Sequence, residues 1–375
     1  MKALVLVEKG KIQYIDKPFP CIEDEHGVLL RPLLVSPCTS DVHTIWQGSS
    51  KKENLTLGHE CVARVEKVGK LVKDFAIGDI VAVPAITPDW SQPDVLENPG
   101  HAGTNFSGHM LGKSIDGVFQ ELFYLPYADK NLAIIPDGVS MEQALMCVDV
   151  LSTGLSCVEE GNVFAGSTVV VMGIGAIGLA AIMGAKLYGA KKIYAVGSRD
   201  ENVVIAESLG AEVINYKTCE CSLPKEMHSS ANSTDSSVVN YILTQTKTKG
   251  ADAVLICGGN DLSLPQAIDI CKYGTGIVSN VMYYGANPSA SKKNIDGIII
   301  PKFSIGRGMA GKTIRFLLAK GGRERIEYLL ELCKTKKISP EILITKRYDG
   351  IENIEKAIYD MKERTAIKVA VRINE

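Results

Sequence analysis

From about residue 168 onward, short apolar runs alternate with longer helical stretches. Val169-Val-Val-Met172, Lys192-Ile-Tyr-Ala-Val196, Glu212-Val-Ile214, Ala253-Val-Leu-Ile256 and Gly276-Ile-Val-Ser279 read as strands. Most are apolar on consecutive residues, as strands covered on both faces are. Gly297-Ile-Ile-Ile-Pro301 reads as a further, outer strand. Between the strands lie alanine-rich or amphipathic stretches such as Leu179–Tyr188. Strand and helix in alternation predict an α/β, doubly wound parallel sheet. Before about residue 152 the pattern differs. Apolar runs such as Gly27–Pro32, Cys61–Val68 and Asp79–Pro84 are broken by Gly, Pro and Asp. They predict an irregular β-rich domain. Helical patterns around Arg323–Lys334 and Ile351–Lys362 and a terminal strand, Ile367–Arg372, are expected to return to that first domain. The expected division is therefore 1–152 with 319–375, and 153–318. The polar stretch from Thr218 to about Ser237 reads as a surface insertion, too polar to bury.

Charge and composition narrow the classes of function. The 375 residues carry a net charge of −2, which gives no general attraction to nucleic acid or to an anionic membrane. No apolar stretch approaches the ~20 residues of a membrane span. The start, Met1-Lys-Ala-Leu-Val-Leu-Val-Glu8, is apolar for only five residues and reads as a strand, not a signal peptide. The ten cysteines are scattered, mostly among apolar neighbours. They read as reduced thiols of a cytoplasmic protein. Cys219-Glu-Cys221 reads as two incidental loop cysteines.

The most specific chemistry is Gly173-Ile-Gly-Ala-Ile-Gly178, set between a predicted strand and a predicted helix. There the backbone N–H groups and the positive helix end are aimed at a pyrophosphate. The next strand ends in Val196-Gly-Ser-Arg199. An NAD site places a carboxylate at this tip for the ribose 2′-OH. Gly197, Ser198 and Arg199 offer a hydroxyl and a guanidinium instead, which suits the 2′-phosphate of NADP. Asp200 follows one residue late for the ribose role.

Three motifs in the first domain carry acid–base or metal-binding groups: Ser36-Pro-Cys-Thr-Ser-Asp-Val-His43, Gly58-His-Glu60 and Met146-Cys-Val-Asp149. A thiolate, an imidazole and a carboxylate suit a catalytic Zn²⁺ with one position left open. Read singly, a buried cysteine, a core histidine and a helix-starting aspartate are as readily structural.

With Arg31–His43, Leu57-Gly-His-Glu60, Thr87-Pro-Asp-Trp90, Gly173–Gly178, Val196–Arg199, Asn215-Tyr-Lys217 and Gly308–Ile314, the chain resembles the zinc-containing medium-chain dehydrogenase/reductase family nearly end to end. Its nearest likeness is to the NADP-dependent secondary-alcohol dehydrogenases. The resemblance implies a GroES-like catalytic domain and a Rossmann domain. It implies that Cys38, His59 and Asp149 bind one catalytic zinc, with Glu60 as an additional or exchanging ligand. Ser40 would hydrogen-bond the reacting oxygen. His43 would either end a proton relay or contact the cofactor ribose without a proton role. Ile174, Gly175, Ala176 and Ile177 would meet the pyrophosphate, and Gly197, Ser198, Arg199 and Tyr216 the 2′-phosphate. Val281, Met282 and Tyr283 would flank the nicotinamide, and Arg364 would stand near a phosphate. A homotetramer is expected by the same likeness. Residues 84–120 contain no cysteine, so no structural zinc is expected. The Gly100–Gly117 loop lacks a tryptophan that relatives place near substrate. His101 and His109 there read as solvated. The implied activity is interconversion of small secondary alcohols and ketones. Primary alcohols, aldehydes or polyols are the alternative substrates, and an inactive binding relative is the alternative class.

Overall fold

The computed structural model describes residues 1–48, 53–93, 95, 111–223, 236–283 and 309–373. The chain divides into two compact units, Met1–Ser152 with Ala319–Glu375, and Thr153–Leu318.

The first unit is built on a mixed sheet. Its strand order is Ile344–Asp349, Lys368–Arg372, Val28–Ser36, Glu60–Val68, Ile80–Val83 and Ala133–Ile134, with Phe123–Leu125 also paired to Val28–Ser36. Only the Ile344–Asp349/Lys368–Arg372 pair is parallel. A smaller sheet joins Lys11–Asp16, Lys2–Glu8 and Leu55–Thr56. Leu4, Leu30, Val35, Leu57, Phe119, Phe123, Val369 and Val371 fill one core with the helix Ile354–Glu363. The terminal strand thus returns to this unit because its apolar residues complete that core. The register decides the chemistry. Ser36 lies opposite Glu60 across the antiparallel pair. The chain leaving Ser36 therefore carries Cys38 to His59 and Glu60, at the start of the strand Glu60–Val68.

The second unit holds six strands, all parallel, in the order Glu212–Ile214, Lys192–Val196, Thr168–Met172, Ala253–Ile256, Ile277–Asn280 and Thr313–Phe316. The helices Ala176–Leu187, Asp200–Ser208, Ser237–Gln245 and Ser263–Ile270 lie between strands in sequence. The chain runs outward from Thr168–Met172 in one direction, then restarts beside it at Ala253–Ile256. The carboxyl ends of those two neighbours form the switch point where open α/β sheets bind ligands. The sixth strand is Thr313–Phe316, which is largely exposed and so carries a weak apolar signal. The expected outer strand at 297–301 lies outside the described residues, as do Gly308, most of the polar insertion, His101 and His109. No helix among the described residues is long and apolar enough to cross a membrane.

Candidate active site

Four donor groups converge in the first unit. Cys38, His59, Glu60 and Asp149 each place a ligand atom so that all lie within 4.8 Å of one another. Cys38 precedes the short helix Thr39–His43. Asp149 arrives on a π-helical turn, Cys147–Leu151, that continues the helix Met141–Met146. That helix starts firmly. Ser140 Oγ accepts from Gln143 N at 3.1 Å, and Gln143 Oε1 accepts from Ser140 N at 3.0 Å. The wider π turn is a local irregularity of the kind found at functional sites.

Inside the cluster, Cys38 Sγ donates to Asp149 Oδ2 at 3.4 Å, and His59 Nε2 lies 3.9 Å from the same oxygen. The other imidazole nitrogen, Nδ1, faces Asp41 Oδ1 at 3.4 Å. Asp41 is itself fixed, because its Oδ2 accepts from Cys38 N at 2.8 Å. A carboxylate on Nδ1 leaves Nε2 as the ligating atom and fixes the ring's orientation. Glu60 Oε1 meets Lys368 Nζ at 2.7 Å, and the ammonium also donates to Pro37 O at 2.8 Å. Glu60 Oε2 is buried with no hydrogen-bond partner.

The electrostatics follow from burial. Burial, then the Asp149 carboxylate, push the Cys38 thiol up to about 11. Burial also holds the Glu60 carboxyl well above its usual range, against the pull of Lys368. Burial pulls His59 down, but the Asp41 carboxylate overrides it and the ring is held up at about 8. These are acids and donors crowded together with too little positive charge. A divalent cation supplies that charge and displaces the protons. A thiol, an imidazole and carboxylates, with one buried carboxylate oxygen unpartnered, form a donor set that fits Zn²⁺.

Ser40 and His43 lie on the helix beside this cluster. Ser40 Oγ is 3.1 Å from His59 Nε2, at the edge where the donors converge. His43 Nδ1 is 2.8 Å from Gln47 Nε2. Burial, then the charges of Lys113 and Arg364, lower the basicity of His43. Arg364 caps the helix Ile354–Glu363 in the left-handed region, φ 59°, and is exposed.

The second unit carries the glycine turn. Gly173 has φ +84°, and a Cβ there would stand 2.7 Å from Gly258. A Cβ on Gly178 would stand 1.9 Å from Gly173 O, so the helix Ala176–Leu187 can start close against the turn only with glycine there. Gly175 is open by contrast. A Cβ there would meet only Arg199 Nη2, at 3.9 Å. The guanidinium at the tip of Lys192–Val196 therefore stands beside the glycine turn. Gly197 lies against Ile174, where a Cβ would fall 2.0 Å from the side chain. Ser198 and Arg199 lead into the helix Asp200–Ser208. Tyr216 is 55 % exposed and Tyr283 65 %. Val281, Met282 and Tyr283 follow the carboxyl end of Ile277–Asn280.

Four residues near these sites were not singled out by sequence reasoning. Asp41 was visible only as a member of a quoted motif. Lys368 showed as one lysine inside an apolar terminal run. Asn202, whose Nδ2 donates to Ile174 O at 2.6 Å and ties the next helix to the glycine turn, gave no signal. Neither did Lys113, whose Nζ donates to Thr44 Oγ1 at 2.7 Å.

Comparison with known proteins points the same way. A family model described as "Alcohol dehydrogenase GroES-like domain" matches residues 24–137, and one described as "Zinc-binding dehydrogenase" matches 176–332. The chain is 39 % identical over 367 residues, 97 % of each protein, to the NADP-dependent isopropanol dehydrogenase of Thermoanaerobacter brockii. It is 40 % identical to the protein of the same name from Entamoeba histolytica, over 382 residues covering all of this chain and 96 % of the other. Among solved structures, alcohol dehydrogenase TADH from Thermus sp. ATN1 superposes with a TM-score of 0.80 at 26 % identity, covering both chains completely.

Proposed function

The chain belongs to the zinc-binding alcohol dehydrogenases of the medium-chain dehydrogenase/reductase family, and we propose that it interconverts small secondary alcohols and ketones with NADP as the hydride carrier. The observation that carries this reading is the convergence of Cys38, His59, Glu60 and Asp149 within 4.8 Å. Two relatives of 39 % and 40 % identity, named as NADP-dependent isopropanol dehydrogenases, supply the substrate class.

Cys38, His59 and Asp149 hold the zinc, and Glu60 serves as a fourth or exchanging ligand. When bound, zinc supplies Lewis-acid polarisation of the alcohol or carbonyl oxygen, and NADP supplies the hydride acceptor or donor. Asp41 orients His59 through Nδ1. Lys368 holds one oxygen of Glu60 and leaves the other free to turn toward the donors. The Ser40 hydroxyl, 3.1 Å from the ligating edge of His59, is placed to hydrogen-bond the reacting oxygen. His43 is less basic than an ordinary histidine. It either ends the proton relay or contacts the cofactor ribose without a proton role. Gly173–Gly178 receives the pyrophosphate, and Arg199 with Ser198, Gly197 and Tyr216 receives the 2′-phosphate. Val281, Met282 and Tyr283 attend the nicotinamide and Arg364 a phosphate. The reading includes no second, structural zinc, a cytoplasmic location and a homotetramer.

The test is a spectrophotometric assay of the purified full chain with acetone and NADPH or NADH, alongside its metal content. NADPH oxidation by a protein holding one zinc per chain is expected, and loss of both zinc and activity in Asp149→Ala. A preference for ethanol over propan-2-ol in the reverse direction would overturn the substrate class.

A further inference from the structure

One buried amide of the second unit takes no part in the chemistry described above. Asn202 stands in the first turn of the helix Asp200–Ser208 and is 1 % exposed. An amide is costly to bury unless it is hydrogen-bonded. Its Nδ2 reaches 28 residues back along the chain and donates to Ile174 O at 2.6 Å. Ile174 is thereby held on three sides. Gly173 N, just before it, donates to Val196 O at 3.0 Å. The Ile174 side chain lies on Gly197, where a Cβ would fall 2.0 Å from Cγ1. Asn202 holds the carbonyl.

The next peptide group takes its direction from that carbonyl. The Ile174–Gly175 bond is trans, so its C=O and N–H point in opposite directions. Fixing Ile174 O toward Asn202 therefore aims Gly175 N–H away from that helix. Among the described residues this N–H has no acceptor. Gly175 has φ −71°, which any residue can adopt, and a Cβ there would meet only Arg199 Nη2, at 3.9 Å. The fold itself does not require glycine at this position. A bare peptide beside open space lets a phosphate come close to the backbone donor. Asn202 also belongs to the helix that begins at Arg199. One side chain thus joins the glycine turn to the element that carries the guanidinium.

We propose that Asn202 is a positioning residue for the cofactor: its bond to Ile174 O orients Gly175 N–H to donate to the pyrophosphate that NADP and NAD share. The inference rests on the cofactor site proposed above and adds to it the group that holds its backbone donor. Asn202 acts through the peptide and not by touching the cofactor. Its effect is therefore separable from that of Arg199, since 2′-AMP carries the 2′-phosphate but no pyrophosphate.

The test is isothermal titration calorimetry of the purified full chain with NADP⁺, NAD⁺ and 2′-AMP, native beside Asn202→Leu and Asn202→Ala. Leucine nearly keeps the volume and removes the donor without adding charge. Both dinucleotides should bind each variant more weakly by a similar factor, roughly three- to tenfold, the size of one lost hydrogen bond. Binding of 2′-AMP should stay the same. In the acetone assay the KM for NADPH should rise by the same factor, with no fall in kcat at saturating cofactor. Thermal melts without cofactor check the fold, and either variant that melts cooperatively decides the matter. Unchanged NAD⁺ binding overturns the proposal. So does a loss of 2′-AMP binding equal to that of NADP⁺, which would assign Asn202 to the support of Arg199 or of the whole unit. Native protein that binds neither dinucleotide overturns the cofactor site itself.

Discussion

Replacing Arg199 by alanine should convert an enzyme that prefers NADPH into one that no longer distinguishes it from NADH. Arg199 Nη2 lies 3.9 Å from the position of a Cβ on Gly175, beside the turn Gly173–Gly178 proposed to receive the pyrophosphate. The strand tip offers no carboxylate before Asp200, the first residue of the following helix. At ~4 Å and an effective dielectric near 20, each unit of phosphate charge interacts with the guanidinium by about 4 kcal/mol before desolvation. Desolvation of both partners removes much of this. Measured charge-assisted hydrogen bonds retain roughly 1.5–3 kcal/mol. That range corresponds to about a ten- to hundredfold rise in KM for NADPH. NADH has no 2′-phosphate, so its KM should stay nearly constant or fall as a positive charge leaves the ribose site. The assay is initial-rate kinetics with both cofactors at saturating ketone, native chain beside variant. An equal loss with NADH and NADPH would refute the reasoning, because it would show Arg199 supporting the turn and not reading the phosphate.

Two further outcomes follow from geometry alone. Gly178→Ala places a methyl 1.9 Å from Gly173 O, so the turn must open. Overpacking of this kind costs about 1–3 kcal/mol. A fall of several degrees in melting temperature and loss of the stabilisation normally given by NADPH are expected by thermal melting with and without cofactor. An unchanged melt would mean the helix start is looser than described. Asp252→Asn tests an ion pair within the second unit. Asp252 accepts from Thr168 N at 2.9 Å and from Lys272 Nζ at 2.8 Å. Burial pushes its carboxyl up, and the hydrogen bonds from Lys272 and from Thr168 N, with the Lys272 charge, override this and hold it below its usual value. A depressed folded pKa gives stability that is present above the unfolded carboxyl value, near ~3.9, and is lost as pH falls through the lower folded value. The variant should therefore be about 1 kcal/mol less stable than the native chain at pH 7, and the deficit in urea titrations should shrink as pH falls below the unfolded carboxyl value. A deficit that stays constant as the pH is lowered from 7 through the acid range would show that the lost interaction is not the ion pair.

Much of the second unit was legible in the linear pattern. Apolar runs at Val169–Met172, Lys192–Val196 and Ala253–Ile256 specify strands covered on both faces, and the glycines between strand and helix mark a turn too tight for a side chain. These are local properties, set by the period of each element and by Cβ contacts within a few residues. The outer strand Thr313–Phe316 escaped notice because its position at the sheet edge leaves it without the apolar run that betrays a central strand.

The chemistry of the first unit was legible only as residue types. Cys38 and Asp149 are 111 residues apart and Glu60 and Lys368 are 308 apart, and each pair lies in contact. No local period links them. They meet because Ser36 pairs with Glu60, a π turn re-aims Asp149, and the terminal strand adds to the same sheet. Asp41 as the anchor of His59 is likewise a product of packing. The chain's own order of residues determined which groups were available and which segments were strand or helix. Tertiary structure alone decided which groups share a buried volume, because strand register and long-range burial place side chains within a few ångströms of one another whatever their distance along the chain.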